Sequence, residues 1–166
     1  MINLITLAGE GYRFSSKGIK LPKPLIPIDN IPMIFRAVNC LPKAKKYVFV
    51  CREEHIKKYR IDKLLKEKYK NVEIVSLTHT TQGQACTAEI GIKNSSISLN
   101  DEILISCCDY GLDYKNYSTH NKDIIVWTTT HNRAFANNPN SYSWIETEGN
   151  ILKKVHVKKS FFDNPF

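Results

Sequence analysis

The sequence predicts an α/β chain folded as a three-layer α/β/α sandwich, with a mixed, mostly parallel sheet covered by helices on both faces. Two observations carry that expectation. Short apolar runs alternate with helical patterns along the chain, and strand–helix–strand repetition builds doubly wound parallel sheets. The unusual residues fall in the loops that follow these runs, and such sheets bind ligands beyond the carboxyl ends of their strands.

The elements follow in order. Residues 2–8 are an apolar run ending in a glycine turn, the mark of a buried first strand. Residues 15–30 form a loop rich in proline and lysine, after which Pro32 stands where a helix can open through Met33 to Val38. Residues 47–51 read as a second strand and residues 53–69 as one charged amphipathic helix. A third strand at 72–77 precedes a helix at 83–93, and a fourth strand at 102–107 ends in Cys108 and Asp109. Residues 124–130, rich in β-branched side chains, predict a fifth strand. Residues 142–147 and 151–157 flank Glu148, Gly149 and Asn150, a hairpin signal.

Bulk properties bound the function. At 166 residues the chain reads as one domain. No run approaches the roughly 20 apolar residues of a membrane span. The amino terminus lacks the basic start of a signal peptide, so a cytoplasmic protein is expected. Five cysteines without C-x-x-C spacing argue for reduced, mostly buried thiols rather than zinc or a disulfide framework. The net charge of +8 suits polyanionic partners such as a nucleotide triphosphate. The lysines form no single stripe interleaved with aromatics, which argues against nucleic acid as the partner. A homo-oligomer is compatible with the sequence.

Chemistry concentrates in a few segments. Leu7, Ala8, Gly9, Glu10 and Gly11 directly follow the first strand, and two glycines there let backbone N–H groups approach phosphate oxygens. A dinucleotide-binding turn would carry a third glycine three residues after Gly11, where Phe14 stands; Arg13 supplies fixed positive charge instead. Pro22, Pro24 and Pro27 surround Lys23, and each ring fixes its own φ, so the loop holds the ammonium in place. Read singly, the glycines are also a plain tight turn and Lys23 an incidental surface lysine. Asp109 after an apolar strand is a metal-ligand candidate or a turn former.

In combination the segments are more specific. The order G-x-G-x-R, then P-K-P-L-x-P-I, then x-x-P-M-I resembles the amino-terminal signature of the sugar-phosphate nucleotidyltransferase family. The resemblance implies a Rossmann-like, GT-A-like nucleotidyltransferase fold. It continues through Thr81-Gln82-Gly83-Gln84-Ala85, which matches a nucleobase-contacting loop, and Ile105 to Asp109, which matches the strand ending in a magnesium-binding aspartate. Trp144 to Lys159 resembles a late hairpin whose final lysine contacts the acceptor's phosphate.

The resemblance assigns roles residue by residue. Arg13 and Lys23 are implied as catalytic charges, and Leu7 to Gly11 with Gln82, Gly83 and Gln84 as nucleotide contacts. Asp109 is implied as a ligand of Mg²⁺, the one cofactor, and Trp144 and Lys159 as acceptor contacts. The implied partners are an NTP and a small phosphorylated acceptor. Similar cytidylyltransferases of capsule or lipopolysaccharide synthesis activate non-sugar phosphates such as phosphoglutamine, which favours CTP.

Departures from the pattern are also visible. Leu7 stands where members carry Gly or Ala, Asn30 where they carry Gly, and Lys158 where they carry an acidic residue. A second metal-binding aspartate is expected further downstream than Asp163, which implies a carboxyl-terminal part missing from this chain. A sugar-1-phosphate nucleotidyltransferase using UTP, a GT-A glycosyltransferase and a non-catalytic nucleotide-binding module stay open as alternatives. Asp113, in the tempting D-Y-G-L-D run, is read as a surface residue.

Overall fold

The structure, a computed structural model, describes residues 1–111, 123–129, 135 and 137–157. It divides into two units, Met1–Asn116 and Tyr117–Phe166. In the first unit, strand β1 (Ile2–Thr6) leads into the short helix α1 (Tyr12–Ser15) and a single 3-10 turn at Lys23–Leu25. Strands β2 (Pro27–Ile28) and β3 (Ile31–Pro32) form a small antiparallel ribbon before helix α2 (Met33–Asn39). Then come β4 (Lys46–Arg52), α3 (Glu53–Tyr59), α4 (Ile61–Lys68), β5 (Val72–Leu77), α5 (Gln84–Lys93) and β6 (Ile103–Cys107).

The main sheet is four-stranded in the order β5-β4-β1-β6, and every pairing in it is parallel. The chain winds outward from β1 to β4 and β5, then returns to place β6 on the other side of β1. Strand order therefore reverses between β1 and β6. In sheets of this kind that reversal opens the ligand crevice at the carboxyl edge.

Strand alternation explains the two covered faces. Ile5, Leu7, Phe49, Cys51 and Leu104 point to one side, where Ile34 and Val38 of α2 and Ile61 and Leu65 of α4 complete a core. Ile2, Leu4, Val48, Val50, Val75 and Leu77 point to the other, against Ala88 of α5. Gly91 sets how closely α5 lies on the sheet. A Cβ there would meet Val50 Cγ2 at 2.6 Å and Leu4 Cδ1 at 2.9 Å.

Two expected elements differ. The single helix over 53–69 is broken at Arg60, which takes a left-handed conformation with φ of 53°. Successive helical residues turn by about 100°, so residues six apart lie about 120° apart around the axis. One continuous helix would therefore aim buried His55 and buried Ile61 in different directions. The break lets each helix present its own buried face. The expected fifth strand is not formed over 124–129, where no regular structure appears; Thr130 lies outside the described residues. Ile124 is 82% exposed, and β-branched residues make a strand only where a partner and a buried face exist.

The Asp29–Asn30 connection in the β2–β3 ribbon has both residues left-handed, with φ of 46° and 63°. That is the geometry of a two-residue hairpin turn, and Asn tolerates it better than most residues after Gly. Arg36 of α2 clamps this turn, donating to Ile28 O at 2.8 Å and to Asp29 Oδ2 at 2.7 Å.

In the second unit, β7 (Trp144–Glu148) pairs antiparallel with β8 (Ile151–His156), with a register shift between Glu146 and Thr147. Gly149 turns the hairpin with φ of 55°. All five cysteines are free thiols; Cys51 and Cys108 are buried, Cys86 and Cys107 half-buried, and Cys40 exposed. No helix among the described residues is long and apolar enough to cross a membrane.

Candidate functional site

The loops at the carboxyl edge of the first unit's sheet bring three sequence-predicted residues together. Beyond β1 the backbone continues in register for one residue, with Leu7 N–H donating to Val50 O at 2.9 Å. The Leu7 and Ala8 side chains then enter the two opposite cores. Neither side chain is therefore available to a ligand, the two residues being 2% and 4% exposed. Gly11 adopts the left-handed region with φ of 67°, and its carbonyl accepts from Phe14 N at 2.8 Å and Ser15 N at 3.2 Å, which closes α1. This turn lies against Lys23: a Cβ on Gly11 would stand 3.1 Å from Lys23 Cβ.

Lys23 is held from its own side as well. Pro22 is extended at φ −65°, and Leu25 N–H donates to Pro22 O at 2.8 Å, closing the 3-10 turn. Pro24 is buried beneath it. The loop between α1 and this turn is tied down where Tyr59 Oη donates to Lys20 O at 2.9 Å. The side chain so placed reaches Asp109: Lys23 Nζ donates to Asp109 Oδ2 in an ion pair. The other carboxylate oxygen, Oδ1, accepts from Cys107 Sγ at 3.1 Å. Asp109 stands two residues beyond β6, the strand beside β1.

Charge is balanced within this pair. Burial alone would raise the Asp109 carboxyl, but the Lys23 hydrogen bond, the Cys107 thiol and the Lys23 charge outweigh it and hold the group below its ordinary value. Burial alone would lower Lys23; the Asp109 hydrogen bond and charge outweigh that and hold the ammonium above its ordinary value. Both shifts favour the charged forms. Burial, helped by the Asp109 charge, pushes the Cys107 thiol up to about 12, so it remains a protonated donor at neutral pH.

The remaining candidates are placed as follows. Arg13 sits on α1, exposed, and makes no ion pair among the described residues. Two trans peptide steps separate it from Gly11, so their Cα atoms are at most about 7.6 Å apart. Gly9 and Glu10 are exposed. Gln82, Gly83 and Gln84 are exposed at the amino end of α5, on the same edge of the sheet as the carboxyl ends of the strands. Gly83 O accepts from Thr87 N–H at 3.1 Å and from Thr81 Oγ1 at 3.0 Å, which pins the loop to its helix. A Cβ on Gly83 or Gly9 would meet no protein atom within 4 Å, and neither backbone is left-handed. The protein's own packing therefore does not require glycine at either position.

Trp144 belongs to the second unit, where its indole Nε1–H donates to Pro139 O at 2.9 Å and Phe135 packs edge-on. Lys159 and Asp113 lie outside the described residues. The sequence reading missed Cys107 and Arg36. A cysteine two residues before a candidate aspartate carries no motif, and Arg36 looks like one more charge on an amphipathic helix.

Asp109 has the donor chemistry for Mg²⁺. That ion takes hard oxygen ligands, few of them protein carboxylates, and fills its other positions with water and phosphate. No group of three or more His, Cys, Asp or Glu able to hold a metal occurs among the described residues. A magnesium ion at Asp109 would therefore draw further ligands from water and a bound phosphate.

No family model matches the chain. No curated protein matches its sequence. Among solved structures, the crystal structure of the nucleoside-diphosphate-sugar pyrophosphorylase from Vibrio cholerae RC9 matches with a TM-score of 0.70 at 15% identity, over 99% of this chain and 70% of that one. A protein of Mycobacterium tuberculosis H37Rv matches at TM-score 0.45 and 10% identity, over 66% of this chain and 52% of its own. A nucleotidyl transferase from Methanothermobacter thermautotroptrophicus matches at TM-score 0.49 and 16% identity, over 65% and 50%. The last two are too distant to support an argument. The first shows that the chain has the α/β fold of that pyrophosphorylase.

Proposed function

We propose that the chain is a Mg²⁺-dependent nucleotidyltransferase, which moves a nucleoside monophosphate from an NTP to a small phosphorylated acceptor and releases pyrophosphate. The observation that supports this reading most is the meeting of Gly11, Lys23 and Asp109 where strand order reverses between β1 and β6. A glycine turn, a braced ammonium and a carboxylate are the parts that a triphosphate and its metal need.

In the proposed reaction a phosphate oxygen of the acceptor attacks the α-phosphorus in line. The new P–O bond forms as the bond to the β-phosphate oxygen breaks, and pyrophosphate leaves. No protein nucleophile is needed, because the attacking phosphate is already an anion. Catalysis then rests on positioning and charge. Lys23 exchanges its Asp109 partner for the α-phosphate. Backbone from Leu7 to Gly11 lines the phosphates, with Arg13 toward the departing β- and γ-groups. Gln82, Gly83 and Gln84 face the base, where the open space above Gly83 accommodates a ring lying on the backbone. Trp144 and Lys159 are assigned to the acceptor. Mg²⁺, held by Asp109, would neutralise charge developing on the α-phosphate.

CTP is the favoured nucleotide, with an acceptor such as a phosphorylated amino acid, phosphoglutamine among them, in the synthesis of a surface-polysaccharide precursor. The second reading takes UTP or another NTP with a sugar 1-phosphate, and the name of the Vibrio cholerae pyrophosphorylase favours it. Pyrophosphate release should be measured with ATP, CTP, GTP and UTP against phosphorylated amino acids and sugar 1-phosphates. Acceptor-dependent release with CTP supports the first reading, and release with a sugar 1-phosphate the second. No release with any pair, alongside transfer from a nucleotide-sugar, would move the chain to the glycosyltransferases.

A further inference from the structure

We infer that Cys107 is a positioning residue for Asp109, holding Oδ1 while Lys23 releases Oδ2. The inference rests on the proposed nucleotidyltransferase reading. Two side chains among the described residues donate to the carboxylate, the Lys23 ammonium to Oδ2 and the Cys107 thiol to Oδ1 at 3.1 Å. The two donors behave differently when a nucleotide binds. Lys23 sits on a loop and has phosphate oxygens to turn to. Cys107 is the last residue of β6, fixed in register opposite Thr6 of β1, whose hydroxyl donates to Ser106 O at 3.2 Å.

Asp109 lies beyond the strand, so its side chain is not locked by the sheet ladder. Without the thiol, release of Lys23 would leave the carboxylate with no side-chain donor among the described residues to fix its rotation about χ. The thiol removes that freedom and keeps Oδ2 aimed where the ammonium had been. The metal then meets a carboxylate already oriented, and nucleotide and metal bind cooperatively because the nucleotide draws Lys23 away.

Mn²⁺ binding followed by water-proton relaxation, with CTP present and in parallel with UTP, tests this. The proteins are wild type, Cys107→Ser, which keeps a donor, and Cys107→Ala and Cys107→Val, which do not; valine also preserves the volume should alanine fail to fold. Ala and Val are expected to weaken Mn²⁺ binding about fivefold and Ser less than twofold, as expected for a weak thiol donor. Ala and Val variants binding Mn²⁺ as wild type does, while Asp109→Ala binds it poorly, would overturn the thiol's role and leave the nucleotidyltransferase reading standing. Equal binding by wild type and Asp109→Ala, or none by either, would overturn both.

Discussion

Gly11 makes its left-handed turn directly against Lys23, with only 3.1 Å between the position of a Cβ on the first and the Cβ of the second. The turn that ends the first strand thus also locates the lysine that meets Asp109. Sequence separation hides this relationship, since a proline-rich loop intervenes.

Gly11→Ala should destabilise the fold by about 1–2 kcal/mol, because φ of 67° strains any L side chain and the new methyl presses on Lys23. Gly9→Ala should change stability by less than about 0.5 kcal/mol, since its Cβ meets nothing within 4 Å. Urea denaturation of both variants checks the contrast. Under the proposed function both weaken nucleotide binding, Gly9→Ala through the ligand alone.

The parallel sheet was legible because its strands are short, mostly apolar runs that alternate with helical patterns. Gly11, Lys23 and Asp109 were legible as candidates because each breaks a local pattern: glycines after a strand, a lysine among prolines, a carboxylate after an apolar run. The break at Arg60 was written less plainly. It follows from spacing, since buried His55 and buried Ile61, six positions apart, do not return to one helical face. Residues 124–129 misled because β propensity was read without a partner strand. Gly91 belongs to no motif in the sequence, and the close approach of Val50 and Leu4 is what gives it a reason.

The Lys23–Asp109 pair should make stability depend on pH at both extremes. Asp109's folded value lies below 3.8, so its contribution is present above that pH and lost as pH falls through the folded value. Lys23's lies above 10.5, so its contribution is present below that pH and lost as pH rises through the folded value. Asp109→Asn should be less stable than wild type between these limits, with the difference shrinking in acid. Asp109 is 36% exposed, so solvent screening keeps the difference to about 1 kcal/mol or less. Thermal unfolding of both proteins from pH 3 to 7 (about one step per unit) measures it.

His55 should act as an acid-labile point. It is buried, its Nδ1 has no hydrogen-bond partner among the described residues, and burial together with the Arg52 charge lowers its value below 6.5, against a smaller opposing effect of Glu54. The unfolded chain therefore binds a proton before the folded one does. Stability is full above 6.5 and falls as pH drops from there to the folded value. His55→Gln should flatten that part of the profile in the same unfolding series.

The claim on which the rest depends is that Lys23 acts on the α-phosphate of a bound NTP. The kcat/KM for pyrophosphate release by Lys23→Ala, with the nucleotide and acceptor that wild type prefers, tests it most directly. A loss of about a hundredfold, equivalent to roughly 3 kcal/mol of transition-state stabilisation, is the predicted result. A folded Lys23→Ala protein that releases pyrophosphate at the wild-type rate would contradict it.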